Sequence, residues 1–142
     1  MKWLKRIGLA ALVFLALIQL VPYGRGREVH DSTVEPAWDS PRTRELAVRA
    51  CFDCHSNRTQ WPWYAWVAPM SWLVQHDVDE GREHLDFTRF DQRQRNASEC
   101  ADQLRSDEMP LWQYVLLHPD ARLDDKEREE LASGFERTFG GD

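Results

Sequence analysis

Cys51, Cys54 and His55, in the run CFDCHSN at residues 51–57, are the side chains whose types and spacing point most directly to chemistry. Two cysteines three positions apart serve a redox dithiol, part of a zinc site, or the covalent attachment of haem. A dithiol of this spacing is expected beside a βαβ unit, and no stretch of this chain alternates convincingly over strand length. It also leaves His55 without a task. Zinc takes four ligands, so Cys51, Cys54 and His55 would have to recruit Cys100 or a distant histidine. Adjacent Cys54 and His55 are awkward partners on one tetrahedral ion. Haem c uses all three residues: the thiols add across the two vinyl groups, and His55 supplies the proximal nitrogen beneath the iron. One covalent haem would also add the large apolar body that a small helical domain lacks.

The residue on the other face of the iron decides what such a site does. A methionine sulfur closes the site at raised potential, a histidine closes it at lower potential, and no ligand leaves it open to gases or peroxide. Beyond the N-terminal segment the methionines are Met70 and Met109. Met109 precedes Pro110 in a loop between two predicted helices and is the expected distal ligand. Met70 begins a helix and is the alternative; His76, His84 and His118 are the histidine candidates. Trp61, Trp63, Trp66 and Trp72 crowd together with Tyr64, a way to pack aromatic surface around a cofactor. Trp61 and Trp63 are taken as candidate haem contacts, and Arg82 as a candidate partner for a propionate. The second nitrogen of His55 is expected to bond a backbone carbonyl at 60–62. Cys100 has no near partner and reads as a buried helical thiol or as one half of an intermolecular disulfide.

The elements that must position these residues read as helices. Ser40 caps a helix with Pro41 at its first position and Leu46, Ala47, Ala50 and Cys51 on the apolar face, so the cysteine pair sits at a helix end. Helices are predicted over Met70–Gly81, over Asn96–Arg105 and within MPLWQYVLLHP, closed by Pro119. Asp124 and Glu127 form a capping box that opens a helix reaching about Phe139, with Leu131, Phe135 and Phe139 on one side. The expectation is therefore all-α: a bundle of short helices around one haem.

At the N-terminus, Lys2, Lys5 and Arg6 precede the uncharged run IGLAALVFLALIQLVPY, the layout of a secretory signal or a membrane anchor. No A-x-A cleavage site follows, so the run is read as an uncleaved transmembrane helix, with a cleaved signal peptide as the alternative. The division is then 1–23 as anchor or signal, 24–40 as a polar tether, and 41–142 as the haem domain. The basic N-terminus would stay in the cytoplasm, placing the haem domain in the periplasm of a bacterial inner membrane. Residues 28–142 hold 13 basic against 24 acidic side chains, a net −11, which excludes nucleic acid as a partner.

With these residues laid out, the chain resembles the haem-binding domain family of small exported c-type cytochromes. The likeness runs from about Trp38 to Ala132 and rests on WDSP (38–41), CFDCHSN, WPWY (61–64), APMSWL (68–73), GR (81–82), LDF (85–87), EMPLW (108–112) and YVLLHPDARL (114–123). The resemblance implies a cytochrome c-like bundle of short helices around one covalent haem. It makes Cys51 and Cys54 the attachment thiols, His55 the proximal ligand and Met109 the distal one. Two positions depart from the family pattern: Met70, where a small apolar residue is usual, and Asp86, where asparagine is. The function expected is that of a monohaem cytochrome, not an enzyme, which carries single electrons between redox protein partners and depends on haem attachment machinery for assembly. The competing expectation is an open-site haem protein that senses gases or redox state, or acts as a weak peroxidase.

Overall fold

Ser40 starts the helical domain as its sequence requires: its hydroxyl accepts the Thr43 N–H at 3.1 Å, with Pro41 at the first helical position. The computed structural model describes residues 2–27 and 29–140. Among these residues seven α-helices follow one another: α1 (Lys2–Ile18), α2 (Pro41–Ala50), α3 (Phe52–His55), α4 (Met70–His84), α5 (Cys100–Arg105), α6 (Trp112–Leu117) and α7 (Asp125–Phe139). Single 3-10 turns at Trp63–Trp66, Ala97–Glu99 and Pro119–Ala121 join them. Among the described residues there is no strand, only an isolated bridge between Val34 and Arg89. The Asp124–Glu127 capping box forms in both directions and opens α7.

The core lies where α2, α5 and α7 meet, around Leu46, Ala47, Leu104, Leu131 and Ala132. An aromatic column adjoins it: Phe87 stacks on Phe52 at 5.5 Å and on Phe135 at 5.7 Å, and Trp38 tilts against Phe87 at 5.4 Å. Helix α7 crosses α2 closely at Gly134, where an added Cβ would come within 2.3 Å of the Thr43 hydroxyl. Arg105 ties α5 to α7 through Glu129 and Glu136.

The apolar N-terminal run does not form the membrane-spanning helix expected from the sequence. Helix α1 has 17 residues, and among the described residues no helix is long and apolar enough to cross a membrane. Its first turns carry Lys2, Lys5 and Arg6, and it gives way after Ile18 to turn bonds from Gln19, Leu20 and Val21. The uncharged helical part, 7–18, then spans about 18 Å, short of the ~30 Å hydrocarbon core. The inner-membrane anchor, and the location deduced from it, are corrected accordingly. Instead the end of α1 is fixed to the domain, because the Gln19 amide donates to the Ala68 carbonyl at 3.1 Å and accepts the Ala68 N–H at 2.9 Å.

Residues 24–27 and 29–40 of the polar stretch are laid down on the domain. Gly24 adopts φ +82° and passes so close to α4 that a Cβ would meet the Ser71 carbonyl oxygen at 2.5 Å, so glycine is needed there on both counts. Arg27 lies over the rings of Trp61 and Trp66, at 4.4 and 3.2 Å from their centroids. Farther on, Glu35 receives Arg44 at 2.6 and 2.8 Å, Arg58 at 2.9 Å and the Trp38 indole at 2.9 Å.

Candidate functional site

Helix α2 ends at Ala50, and Cys51 opens the single turn α3 that carries Cys54 and His55. The turn is fixed from behind: Phe52 is buried in the aromatic column, and the Ser56 hydroxyl donates to the Phe52 carbonyl at 2.7 Å. Both thiols and the imidazole face a cavity of about 410 Å³, within the range of small-molecule and cofactor sites. Its far side is formed by α4 (Asp77, Glu80, Gly81, His84), by Leu85 and Phe87, by α5 (Cys100, Gln103, Leu104) and by Met109, Pro110, Leu111 and Tyr114. Cys51, Cys54, His55 and Met109 therefore share one wall system.

His55 is oriented by its second nitrogen. Nδ1–H donates to the Gly81 carbonyl at 2.9 Å and to the Leu85 carbonyl at 3.1 Å. Carbonyls only accept, so the proton sits on Nδ1 and the Nε2 lone pair is free. Burial holds the imidazole below its usual pKa, which keeps that lone pair available. The carbonyls expected at 60–62 play no part; the orienting groups come from the end of α4. Gly81 makes this approach possible, since a Cβ there would lie 2.7 Å from the Cys54 carbonyl oxygen.

All three cysteines are free thiols. Burial raises the Cys51 thiol well above its normal range and pushes Cys54 up to about 12. Neither is the low-pKa thiolate that a redox dithiol requires. Cys100 lies across the same cavity, its thiol directed to the Asn96 carbonyl at 3.8 Å. Among the described residues, no three His, Cys, Asp or Glu side chains are grouped to hold a metal ion.

Met109 is placed by its loop. Its N–H donates to the Gln103 carbonyl at 3.1 Å, and its carbonyl accepts Arg128 at 3.2 Å. The same guanidinium reaches the Leu104 carbonyl at 3.1 Å and the Asp107 carboxylate at 2.8 Å. Met70 lies elsewhere, on a smaller pocket of about 60 Å³ with Tyr64, Leu73 and Leu117. Trp61 and Trp63 do not line the large cavity; Trp61 packs under Arg27, and Trp63 is 78% exposed. Arg82 also stays off the cavity, donating to the Ser56 carbonyl at 2.8 Å and the Thr59 hydroxyl at 3.1 Å. Of the histidines, His84 borders the cavity, His76 sits near Glu80 on the outer face of α4, and His118 bonds the Tyr114 carbonyl and the Tyr64 hydroxyl.

Several residues of the site have a role that no motif discloses. Tyr114 lines the cavity and donates to Asp53 at 2.7 Å. Arg128 acts from α7 on a loop many residues away. His30, on the polar stretch, meets the buried Asp86 at 2.7 Å. Gly81, at the end of the helix predicted over Met70–Gly81, and Asp86 and Tyr114, inside LDF and YVLLHPDARL, stand in stretches the sequence singled out, but their contacts are not readable there.

The family model of the haem-binding domain matches residues 13–137. No curated protein and no solved structure matches the chain. The match spans most of the chain, which therefore belongs to the haem-binding domain family, and the protein is a haem protein. The residues present fit the group: an apolar cavity of cofactor size, free thiols on its wall, and an imidazole with its inner nitrogen bonded and its outer nitrogen free.

Proposed function

We propose, taking haem binding as the premise, that this protein holds a single haem c and carries single electrons between protein partners. The observation that carries the reading is the convergence of Cys51, Cys54, His55 and Met109 on one largely apolar cavity. In this reading Cys51 and Cys54 supply the thioether sulfurs, His55 Nε2 the proximal ligand and the Met109 sulfur the distal one. The haem would supply one-electron exchange between its ferric and ferrous states. The chain's own work is to hold the two ligands and to exclude water. Gly81 and Leu85 fix the tautomer and plane of His55, and Arg128 pins the loop of Met109. Such a site needs no acid, base or nucleophile, in keeping with a carrier.

The test is an absorption spectrum of the full chain, oxidised and then reduced, produced in cells competent to attach haem c. Haem retained through acid-acetone extraction is expected, and its loss would overturn the covalent link. A weak far-red sulfur-to-iron band in the oxidised protein, abolished by Met109→Ala, is expected of the carrier. A high-spin spectrum that shifts when carbon monoxide meets the reduced wild type would overturn it in favour of an open-site sensor.

A further inference from the structure

The polar stretch before α2 reaches the His55 support through a closed circuit of bonds. Phe87 N–H donates to the His55 carbonyl at 2.8 Å, and the Leu85 carbonyl accepts His55 Nδ1–H. Between them stands Asp86, only 2% exposed. One of its carboxylate oxygens accepts the Thr88 N–H at 2.8 Å and the Thr88 hydroxyl at 2.6 Å; the other meets His30 Nε2 at 2.7 Å. The circuit closes on the other flank of the motif. Asn57 donates its N–H to the Thr88 hydroxyl at 2.9 Å and its amide to the carbonyls of His30 and Ser32 at 3.0 and 2.8 Å.

A buried carboxylate oxygen that loses its donor must find water or move. The turn that would move is the one that presents the Leu85 carbonyl. The two acceptors of His55 Nδ1–H are unequal in this respect. Gly81 O is also held by the α4 end, where it accepts the Leu85 N–H at 2.9 Å. Leu85 O has His55 as its partner and lies outside the helix.

Resting on the haem-carrier reading, we infer that His30 is a positioning residue for the haem ligand. By bonding Asp86 it holds the Leu85–Thr88 turn, and thereby the second acceptor of His55 Nδ1–H. A hydrogen bond from Nδ1 makes a ligating imidazole more electron-donating, which favours the ferric state. Loss of His30 therefore raises the reduction potential.

The experiment compares the full-length haem protein with His30→Ala, His30→Gln and Ser32→Ala. It reads the midpoint potential and the solvent exchange of the His55 Nδ1–H proton by NMR in the reduced state. Ser32 is a control on the same stretch, bonding Asp91 at an exposed site 2.9 Å away. His30→Ala is expected to change the ferric-to-ferrous balance three- to tenfold, a rise of about 30–60 mV at 59 mV per tenfold, and to speed exchange. His30→Gln, whose amide can donate to Asp86, should return both towards wild type, and Ser32→Ala should leave both unchanged. If His30→Ala fails to fold, His30→Leu, which fills the space without a donor, takes its place. Unchanged potential and exchange in His30→Ala would overturn the inference, as would equal effects from Ser32→Ala or no restoration by glutamine. Wild type without covalent haem would sink the carrier reading instead, and Nδ1–H exchange in the unloaded chain would still decide the role of His30.

Discussion

Gly81→Ala tests how the haem motif is seated, because a single methyl group separates the two outcomes. An alanine Cβ would lie 2.7 Å from the Cys54 carbonyl oxygen and 3.1 Å from its carbonyl carbon, whereas ordinary contact begins at 3.4 Å. Both partners are backbone, so no flexible side chain can swing away. Helix α4 must withdraw by roughly 0.7 Å, and the His55–Gly81 bond would stretch beyond the ~3.2 Å limit of a good N–H···O contact. Overpacking of this kind costs about 1–3 kcal/mol. Replacing a helical glycine with alanine returns about 1 kcal/mol. The upper end of the cost applies against rigid backbone, leaving a net loss of about 2 kcal/mol and a melting temperature about 5–10 °C lower. The assay is thermal unfolding of the haem-loaded protein followed by circular dichroism, paired with the midpoint potential. The potential should rise, since one of two acceptors of Nδ1–H is weakened. Gly26→Ala, with nothing within 4 Å of its added Cβ, should leave both readings at wild type. A Gly81→Ala protein as stable as wild type with the same potential would refute the argument that α4 is seated on Cys54.

Arg128→Gln should loosen the Met109 loop, because one guanidinium holds two carbonyls and the Asp107 carboxylate. The expected loss is about 2 kcal/mol in urea unfolding, with a weaker sulfur-to-iron band at raised temperature. Met70→Ala should keep that band intact, since Met70 faces the smaller pocket; its loss would move the distal ligand from Met109 to Met70. Arg44, by bonding Glu35, holds that carboxylate below its usual pKa. A depressed carboxylate stabilises the fold above its unfolded pKa of about 4.3 and loses that contribution as pH falls through the folded value. Glu35→Gln should therefore lower the urea midpoint at pH 7, with the gap closing as the pH falls below about 4.

What the sequence disclosed and what it withheld divide by the range of the interactions concerned. Ser40, Pro41, Asp124 and Glu127 mark helix starts because a cap is made by residues three apart, and the structure uses all four in those roles. The spacing of Cys51, Cys54 and His55 is legible for the same reason. The apolar N-terminal run misled, because composition registers apolarity but not where the helix ends. Gln19 spends its amide on Ala68, a contact 49 residues away that no local pattern records.

The support of His55 shows why the remainder was not legible. A carbonyl at 60–62 is close in sequence, but which carbonyl meets the ring depends on how α4 docks. That docking is set by a glycine whose lack of a side chain leaves only a weak mark. The stretch 24–40 reads as a tether for a related reason: it is polar and aperiodic, and such residues are ordinarily solvated. Here the partners are polar as well and arrive from distant segments: Asp86 for His30, Asn57 for the carbonyls of His30 and Ser32, and Arg44 and Arg58 for Glu35. Hydrophobic periodicity cannot announce a surface closed by such pairs. A ligand whose orientation must stay fixed needs buried, directional bonds around it, and those bonds leave the faintest trace in a single sequence. The residues that hold His55 are therefore the ones the motif alone could not supply.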